Sequence, residues 1–295
     1  MMKVISVIPD SKEHWLRLRH QNLNSTETSC LYDCNPYKTR FELWNEKNLP
    51  DPISIEESSR MKWGSRLQDV IAQGIAEDND WKIRPVPEYL YIPKLGIGSS
   101  FDFRIEESIN FEIKKIDGLI YRREWSDTEP PLHIAFQVQT QMGVAGLDRT
   151  ILGCLIGGNE TKTMEIDFIQ DVWIDIQVKV KEFRALKVAP EPDFERDAEY
   201  IRQLYNRVNP GKIISADERV SALADAYISA SQQLKEIEKR RDGYRAEILT
   251  LISDAEKVLG EGFSISCGVT NETVVPSFVR KASRGFRLYD KRVKE

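Results

Sequence analysis

Long apolar runs are missing from this sequence: no stretch approaches the roughly 20 apolar residues of a membrane span. The start shows no apolar leader either, because Asp10, Lys12 and Glu13 come at once. Neither a membrane protein nor a secreted precursor is expected. Cysteine is scarce, four in 295 residues, too few for a disulfide framework, and this points to a reducing, cytoplasmic setting. Histidine is scarcer still: His14, His20 and His133 are scattered. Cys30 and Cys34 stand one helical turn apart with no second Cys/His pair, which argues against a zinc site. Basic charge is not in excess, with 42 Lys+Arg against 47 Asp+Glu and a net charge of −5. That excludes a uniformly basic protein but not a local basic groove. There is no internal repeat and no low-complexity tract. What is present is 41% hydrophobic residues, enough for one large core or two ordinary ones.

The pattern along the chain predicts a mixed sheet flanked by helices, an α/β or α+β architecture. Helical spacing covers 11–20, where Trp15 and Leu18 share a face, and 58–76, with apolar residues at 63, 67, 70, 71 and 75. Asn24, Ser25 and Thr26 offer caps for a short helix reaching Cys34, and Asn35-Pro36 ends it. Another helix starts at Phe41, Leu43 and Trp44. Strands are expected at 87–92, 100–105, 110–116, 149–157 and 163–170, the last two joined by a Gly157-Gly158-Asn159 turn. Helices return at 131–146 and 171–187. Trp15, Trp44 and Trp63 sit at apolar helical positions and read as core. After Pro190 the composition shifts, so the expected division is a core over 1–190 and a helical extension over 191–295. In the extension 192–208 reads as a polar helix. A long helix capped by Ser215 reaches Leu259, with Gly243 as a point of interruption, and a strand-like tail follows from Phe263.

Chemistry concentrates in 98–115, GSSFDFRIEESINFEIKK. Residues i and i+2 of a strand face the same side, so Glu112 and Lys114 point together. A hairpin brings Asp102 beside them. Two carboxylates and an ammonium suit phosphodiester hydrolysis, with the acids holding Mg²⁺ and the lysine orienting or deprotonating water. The same three residues would also make a plain surface hairpin with a cross-strand ion pair.

Several segments in fixed order resemble the lambda-exonuclease-like, YqaJ-type viral recombinase family of the PD-(D/E)xK nuclease superfamily. They are Trp15 with Arg19, then Thr26, then NPYKTRFELWNEK from Asn35 to Lys47, then Trp63-Gly64. Ser100 with Asp102, Glu112-Ile113-Lys114 and Gln137-Val138-Gln139 with Gln141-Met142 follow. The resemblance covers about residues 11–170 and implies a restriction-endonuclease-like core with a helical C-terminal extension. It implies that Asp102 and Glu112 bind the metal, with the Ile113 backbone carbonyl as a further ligand. Lys114 would be the catalytic lysine and Gln137 the glutamine near the attacking water. Ser100 would touch a phosphate, and Arg19 with Thr26 would bind a 5′-phosphate. The family's helix glutamate falls on Gln68 here, which brings no charge and weakens a second metal site. Asp69, next to it, lies about 100° round the helix.

The resemblance further implies a Mg²⁺-dependent nuclease, with Mn²⁺ able to substitute. It would be a 5′→3′ exonuclease of phage or prophage recombination that acts on double-stranded DNA ends in a bacterial cytoplasm and leaves 3′ single strands. Its expected partners are a single-strand annealing recombinase and further copies of itself in a ring. Arg17, Lys38, Arg40, Lys115, Arg122 and Arg123 are candidates to line a DNA groove. The rival expectations are a structure-specific or nicking endonuclease on the same core, and a DNA-binding or assembly protein with a weakened nuclease site.

Overall fold

The computed structural model describes residues 2–53 and 57–268. Side-chain caps start its first helices. Ser11 Oγ accepts from His14 N (3.1 Å), Thr39 Oγ1 from Glu42 N (3.1 Å) and Ser58 Oγ from Met61 N (3.2 Å). In chain order the elements begin β1 (Ile5–Val7), α1 (Lys12–Gln21), β2 (Leu23–Asn24), a 3₁₀ segment (Ser25–Tyr32), α2 (Arg40–Lys47) and α3 (Ser59–Asp78). Then come β3 (Ile83–Pro85), β4 (Tyr89–Ile92), β5 (Ile97–Ser99), β6 (Phe103–Ile105), β7 (Ile109–Ile116), α4 (Gly118–Glu124) and α5 (Leu132–Ala145). The last are β8 (Arg149–Ile156), β9 (Glu160–Asp167), α6 (Gln170–Ala185), α7 (Ala198–Leu204), α8 (Glu218–Ile252), β10 (Lys257–Gly260) and β11 (Phe263–Ser266).

The chain divides into a first unit ending at Ile201 and a second starting at Arg202. The first holds a five-stranded sheet ordered β3-β6-β7-β8-β9 and a four-stranded sheet ordered β1-β4-β5-β2. In the larger sheet β7 and β8 run parallel, and the other neighbours are antiparallel. Alternation along β7 decides what each face does. Phe111 and Ile113 pack on Ile71, Ala72 and Ile75 of α3. Ile116 packs with Ile134 and Val138 of α5, and Glu112 and Lys114 share its parity and reach toward that helix. A third cluster, with Leu31, Leu43, Ile97, Val144, Trp173 and Ile176, ties the smaller sheet to the 3₁₀ segment, α2, α5 and α6. Gly157 (φ 63°) and Gly158 (φ 92°) make the left-handed turn between β8 and β9.

Some expectations are corrected. Of the strand read over 100–105 only Phe103–Ile105 is strand; the preceding strand ends at Ser99, and Asp102 stands in the break between the two. The short helix after Asn24 is 3₁₀. Of the polar helix read over 192–208, only Ala198–Leu204 is helical. The core runs past 190, because Asp197 is buried and accepts a hydrogen bond from Thr39 Oγ1 (2.5 Å). Helix α8 is capped by Asp217 rather than Ser215, passes through Gly243 unbroken, and ends at Ile252 rather than Leu259. Trp63 is exposed on α3, with the Arg66 guanidinium over its ring, rather than in the core. The tail beyond Gly268 lies outside the described residues.

Candidate active site

The β6–β7 pairing sets Phe103 against Phe111, so residue 102 falls level with Glu112. At that point the backbone leaves the ladder, and Asp102 O accepts from Val86 N (3.0 Å). The Asp102 side chain takes over the vacated edge: Oδ2 accepts the Ile113 N–H (2.8 Å). Lys114 Nζ donates to Glu112 Oε1 (2.8 Å) and to Gln137 Oε1 (3.1 Å). Gln137 Nε2 also donates to Glu112 Oε1 (2.5 Å). Asp102, Glu112, Lys114 and Gln137 therefore meet in one place.

Gln141, one helical turn beyond Gln137 on α5, belongs to the same cluster. Its Nε2 donates to Glu112 Oε2 (2.7 Å) and to the Ser100 carbonyl (3.1 Å). Its Oε1 accepts from Asn110 Nδ2 (3.0 Å), and Asn110 Oδ1 accepts from Arg104 Nη1 (2.8 Å). Glu112 thus holds three donated hydrogen bonds, one or more on each oxygen. A carboxylate offers about four lone-pair positions, which leaves room for a cation.

Burial and the neighbouring Glu112 charge push the Asp102 carboxyl above the usual carboxylate range, while a hydrogen bond from Gln68 works the other way. Burial works against the Lys114 ammonium, but Glu112 and Asp102 outweigh it and hold its pKa above normal. Two acids against one ammonium leave the centre short of positive charge. The nearby oxygens, from Asp102, Glu112, the Ile113 carbonyl and Gln68, are the hard donors Mg²⁺ or Mn²⁺ takes. Among the described residues no group of three His, Cys, Asp or Glu could hold a metal. Beside the two acids stands an amide: Gln68 reaches Asp102, whereas Asp69 is exposed.

Arg19, Thr26 and Ser100 gather at a second corner. Arg19 Nη2 donates to Thr26 Oγ1 (3.1 Å), and its guanidinium lies 4.7 Å from the centre of the Trp15 ring. Trp15 Nε1 donates to Ser100 Oγ (2.9 Å). Trp15 is partly exposed and joins the two corners instead of filling the core. Thr26 is exposed in the first turn of the 3₁₀ segment, and this turn is fixed by Glu27, which accepts from Asn24 N (2.9 Å).

A cleft of about 300 Å³ opens beside Lys114, with Arg60, Lys115, Tyr37 and His133 on its walls. Of the basic residues expected to line a groove, Lys115 is there. Lys38 is not: it is largely buried and ion-paired with Glu46. Arg123 pairs with Glu124 (2.5 Å), and Arg40 lies 3.8 Å from Asp33. The sequence reading did not name Arg60 and set His133 aside as one of three scattered histidines, because a lone arginine on a helix and a lone histidine carry no spacing signal.

A mixed sheet with Glu112 and Lys114 on β7, Asp102 in the break just before β6 and a glutamine helix against them resembles a PD-(D/E)xK core. Residues 14–148 match the family model described as a YqaJ-like viral recombinase domain. The uncharacterized protein YqaJ of Bacillus subtilis (strain 168) is 27% identical over 264 residues, covering 83% of this chain and 80% of that protein. Among solved structures, LHK-Exo in complex with dAMP has a TM-score of 0.50 at 16% identity, over 65% of this chain and 97% of that one. The alkaline exonuclease LHK-Exo from Laribacter hongkongensis without that ligand gives 0.49 at 15% identity over the same shares. The shared fold bears out the architecture read from the sequence.

Proposed function

We propose that the chain is a Mg²⁺-dependent deoxyribonuclease that degrades double-stranded DNA from 5′ ends and leaves 3′ single strands for recombination. The observation that carries this reading is the meeting of Asp102, Glu112, Lys114 and Gln137 beside an open, basic-walled cleft. The chemistry that Mg²⁺ supplies when held by Asp102, Glu112, the Ile113 carbonyl and Gln68 is charge neutralisation at the phosphate and a lower pKa for the attacking water; Mn²⁺ serves the same purpose. Lys114 orients that water and offsets the charge that builds on the phosphate. Gln137 fixes Lys114 and Glu112 relative to each other. Gln141 holds the second Glu112 oxygen and the Ser100 backbone.

The 5′ polarity rests on the Arg19 corner. A terminal phosphate carries more charge than a bridging one and gains more from a guanidinium. Thr26 and Ser100 supply hydroxyls beside it. DNA ends are the substrate under this reading, a single-strand annealing recombinase the consumer of the product, and a ring of copies the natural way to stay on the duplex. The backbone is what the site addresses, so no base preference is expected.

The test is digestion of end-labelled linear duplex with Mg²⁺, comparing 5′-phosphate with 5′-hydroxyl ends, wild type with Arg19→Ala. Each single change should slow digestion, and the two losses should not add, because both remove one contact. Fully additive losses would place Arg19 elsewhere on the DNA. Cutting of a closed circle would favour the endonuclease reading on the same core. Full DNA retention without cleavage at any Mg²⁺ or Mn²⁺ concentration would favour the binding protein that Gln68 suggests.

A further inference from the structure

Helix α8 carries a pattern that the nuclease chemistry does not use. Positions 220, 223, 227, 230, 234, 237, 241, 244, 248 and 251 step by three and four in strict alternation. They hold Val, Leu, Tyr, Ala, Leu, Ile, Arg, Tyr, Ile and Leu. Nine of these ten are apolar or aromatic, the a and d seam of a coiled coil over five heptads. The helix is 35 residues without a break, and none of its side chains is buried. Leu223, Leu234, Ile237 and Leu251 are 61%, 57%, 53% and 78% exposed. At 1.5 Å per residue the helix is about 52 Å long, and a helix in water draws most of its stability from packing an apolar face. Beside its C-terminal half stands the β10–β11 hairpin. Helix and hairpin enclose a cleft of about 850 Å³ walled by Ile237, Arg241, Tyr244, Ile248 and Ile265.

We propose that this seam is an interface with a second copy of the chain, the two α8 helices lying antiparallel. Charge decides the direction. In a parallel pair Arg241 at an a position would meet its own copy inside the seam, and Arg240 at g would face Arg245 at e. Both contacts are repulsive. The antiparallel register with full overlap sets Val220 against Leu251, Leu223 against Ile248, Tyr227 against Tyr244, Ala230 against Arg241 and Leu234 against Ile237. The one charged seam residue then faces the smallest one, whose methyl leaves the guanidinium a way out to water. The nearest flanking pairs become Ala226 with Glu247, Gln233 with Arg240, Ser231 with Glu238 and Ala224 with Arg245. None of them opposes like charges. The cleft also finds its occupant: its seam residues Ile237, Arg241, Tyr244 and Ile248 receive Leu234, Ala230, Tyr227 and Leu223 of the second copy. The contact is isologous, so each α8 seam is satisfied by one other seam; it adds to the ring of the proposed function and does not replace it.

The test measures the mass of the full chain by light scattering during size exclusion, with Leu234→Asp/Ile237→Asp as the disrupting variant. Wild type should show twice the mass of the variant, with the variant's far-ultraviolet circular dichroism confirming its folded first unit. A second measurement needs no destabilised protein. In a Cys267→Ser background, Val220→Cys together with Leu251→Cys should give covalent dimers on oxidation, and Val220→Cys alone should give none. Dimers from Val220→Cys alone would show a parallel pair and overturn the register. Equal masses for wild type and the double aspartate variant would overturn the interface. Loss of single-stranded DNA retention in that variant at unchanged mass would overturn it too, and would assign the Arg240, Arg241, Tyr244 and Arg245 wall to nucleic acid.

Discussion

Glu27 and Glu112 both withdraw from water, with side chains 13% and 5% exposed, but the charges around them differ. Glu27 accepts from Asn24 N and Asn24 Nδ2 (2.8 Å), and it pairs with Lys47 at 2.8 Å. Burial alone would raise its pKa, yet Lys47, Arg19 and Lys38 outweigh burial and hold the carboxyl at about 2. Lys47 also donates to the carbonyls of Arg19 (2.7 Å) and Asn22 (2.9 Å), so this cluster staples α2 to the end of α1. Glu112 shares its single lysine with Asp102 and otherwise leans on two neutral amides. One buried acid has more positive charge than it needs, and the other has less. The first is what a fold does with a carboxylate used as a fastener. The second leaves two acids sharing one ammonium, and the strain shows in the raised Asp102 carboxyl.

The comparison breaks most visibly at Lys47. Lys47→Met should leave Glu27 buried without its partner and cost about 3–5 kcal/mol of stability. Urea unfolding measures it, and a loss below about 1 kcal/mol would return Glu27 to the class of ordinary surface acids. Titration probes the same acid without a change at Lys47. Its carboxyl drops from 4.5 to about 2 on folding. A lowered carboxylate pKa adds stability that is complete above pH 4.5 and disappears as pH falls through about 2. The size is on the order of 3 kcal/mol. Wild type should lose that much more between pH 6 and pH 2 than Glu27→Gln does, read from urea midpoints.

At the other acid the expected loss is catalytic. Lys114→Ala should slow cleavage about 100-fold or more. Its stability loss should be smaller than that of Lys47→Met, because Gln137 and Gln141 still donate to Glu112. Cleavage at the wild-type rate would remove Lys114 from the chemistry. The smallest effect belongs to Gln68→Glu, which adds the third carboxylate the site lacks. Half-maximal activity should move to a severalfold lower Mn²⁺ concentration, and an unchanged metal titration would mean that position 68 takes no part in holding the ion.

The Glu112–Lys114 pair was legible because strand periodicity is strict and a one-residue spacing leaves no choice of face. The α3 and α5 helices were legible from their apolar stripes. Asp102 was placed near its neighbours, but its exit from the ladder was not foreseen, since side-chain alternation does not mark where a pairing ends. Gln141 carried no charge to mark it, and only the contacts to Glu112 and Ser100 reveal its part. The strands Leu23–Asn24 and Ile83–Pro85 are shorter than one period of alternation plus its confirmation, so periodicity could not find them. Over 192–208 the apolar residues Phe194, Tyr200, Ile201, Leu204, Tyr205 and Val208 run past both ends of the helix, so their pattern cannot say where it starts or stops.

The bridge between the two corners has a consequence for length. From Glu112 through Gln141, the Ser100 backbone and hydroxyl, and the Trp15 indole, an unbroken series of contacts ends under the Arg19 guanidinium. No hinge or long loop interrupts it. In the proposed enzyme the stop against which a DNA end rests and the blade that cuts are therefore one rigid gauge. Such a gauge measures every strand alike: its products should share one size whatever the sequence, and Trp15→Phe, which removes the indole donor, should blur that size before it lowers the rate.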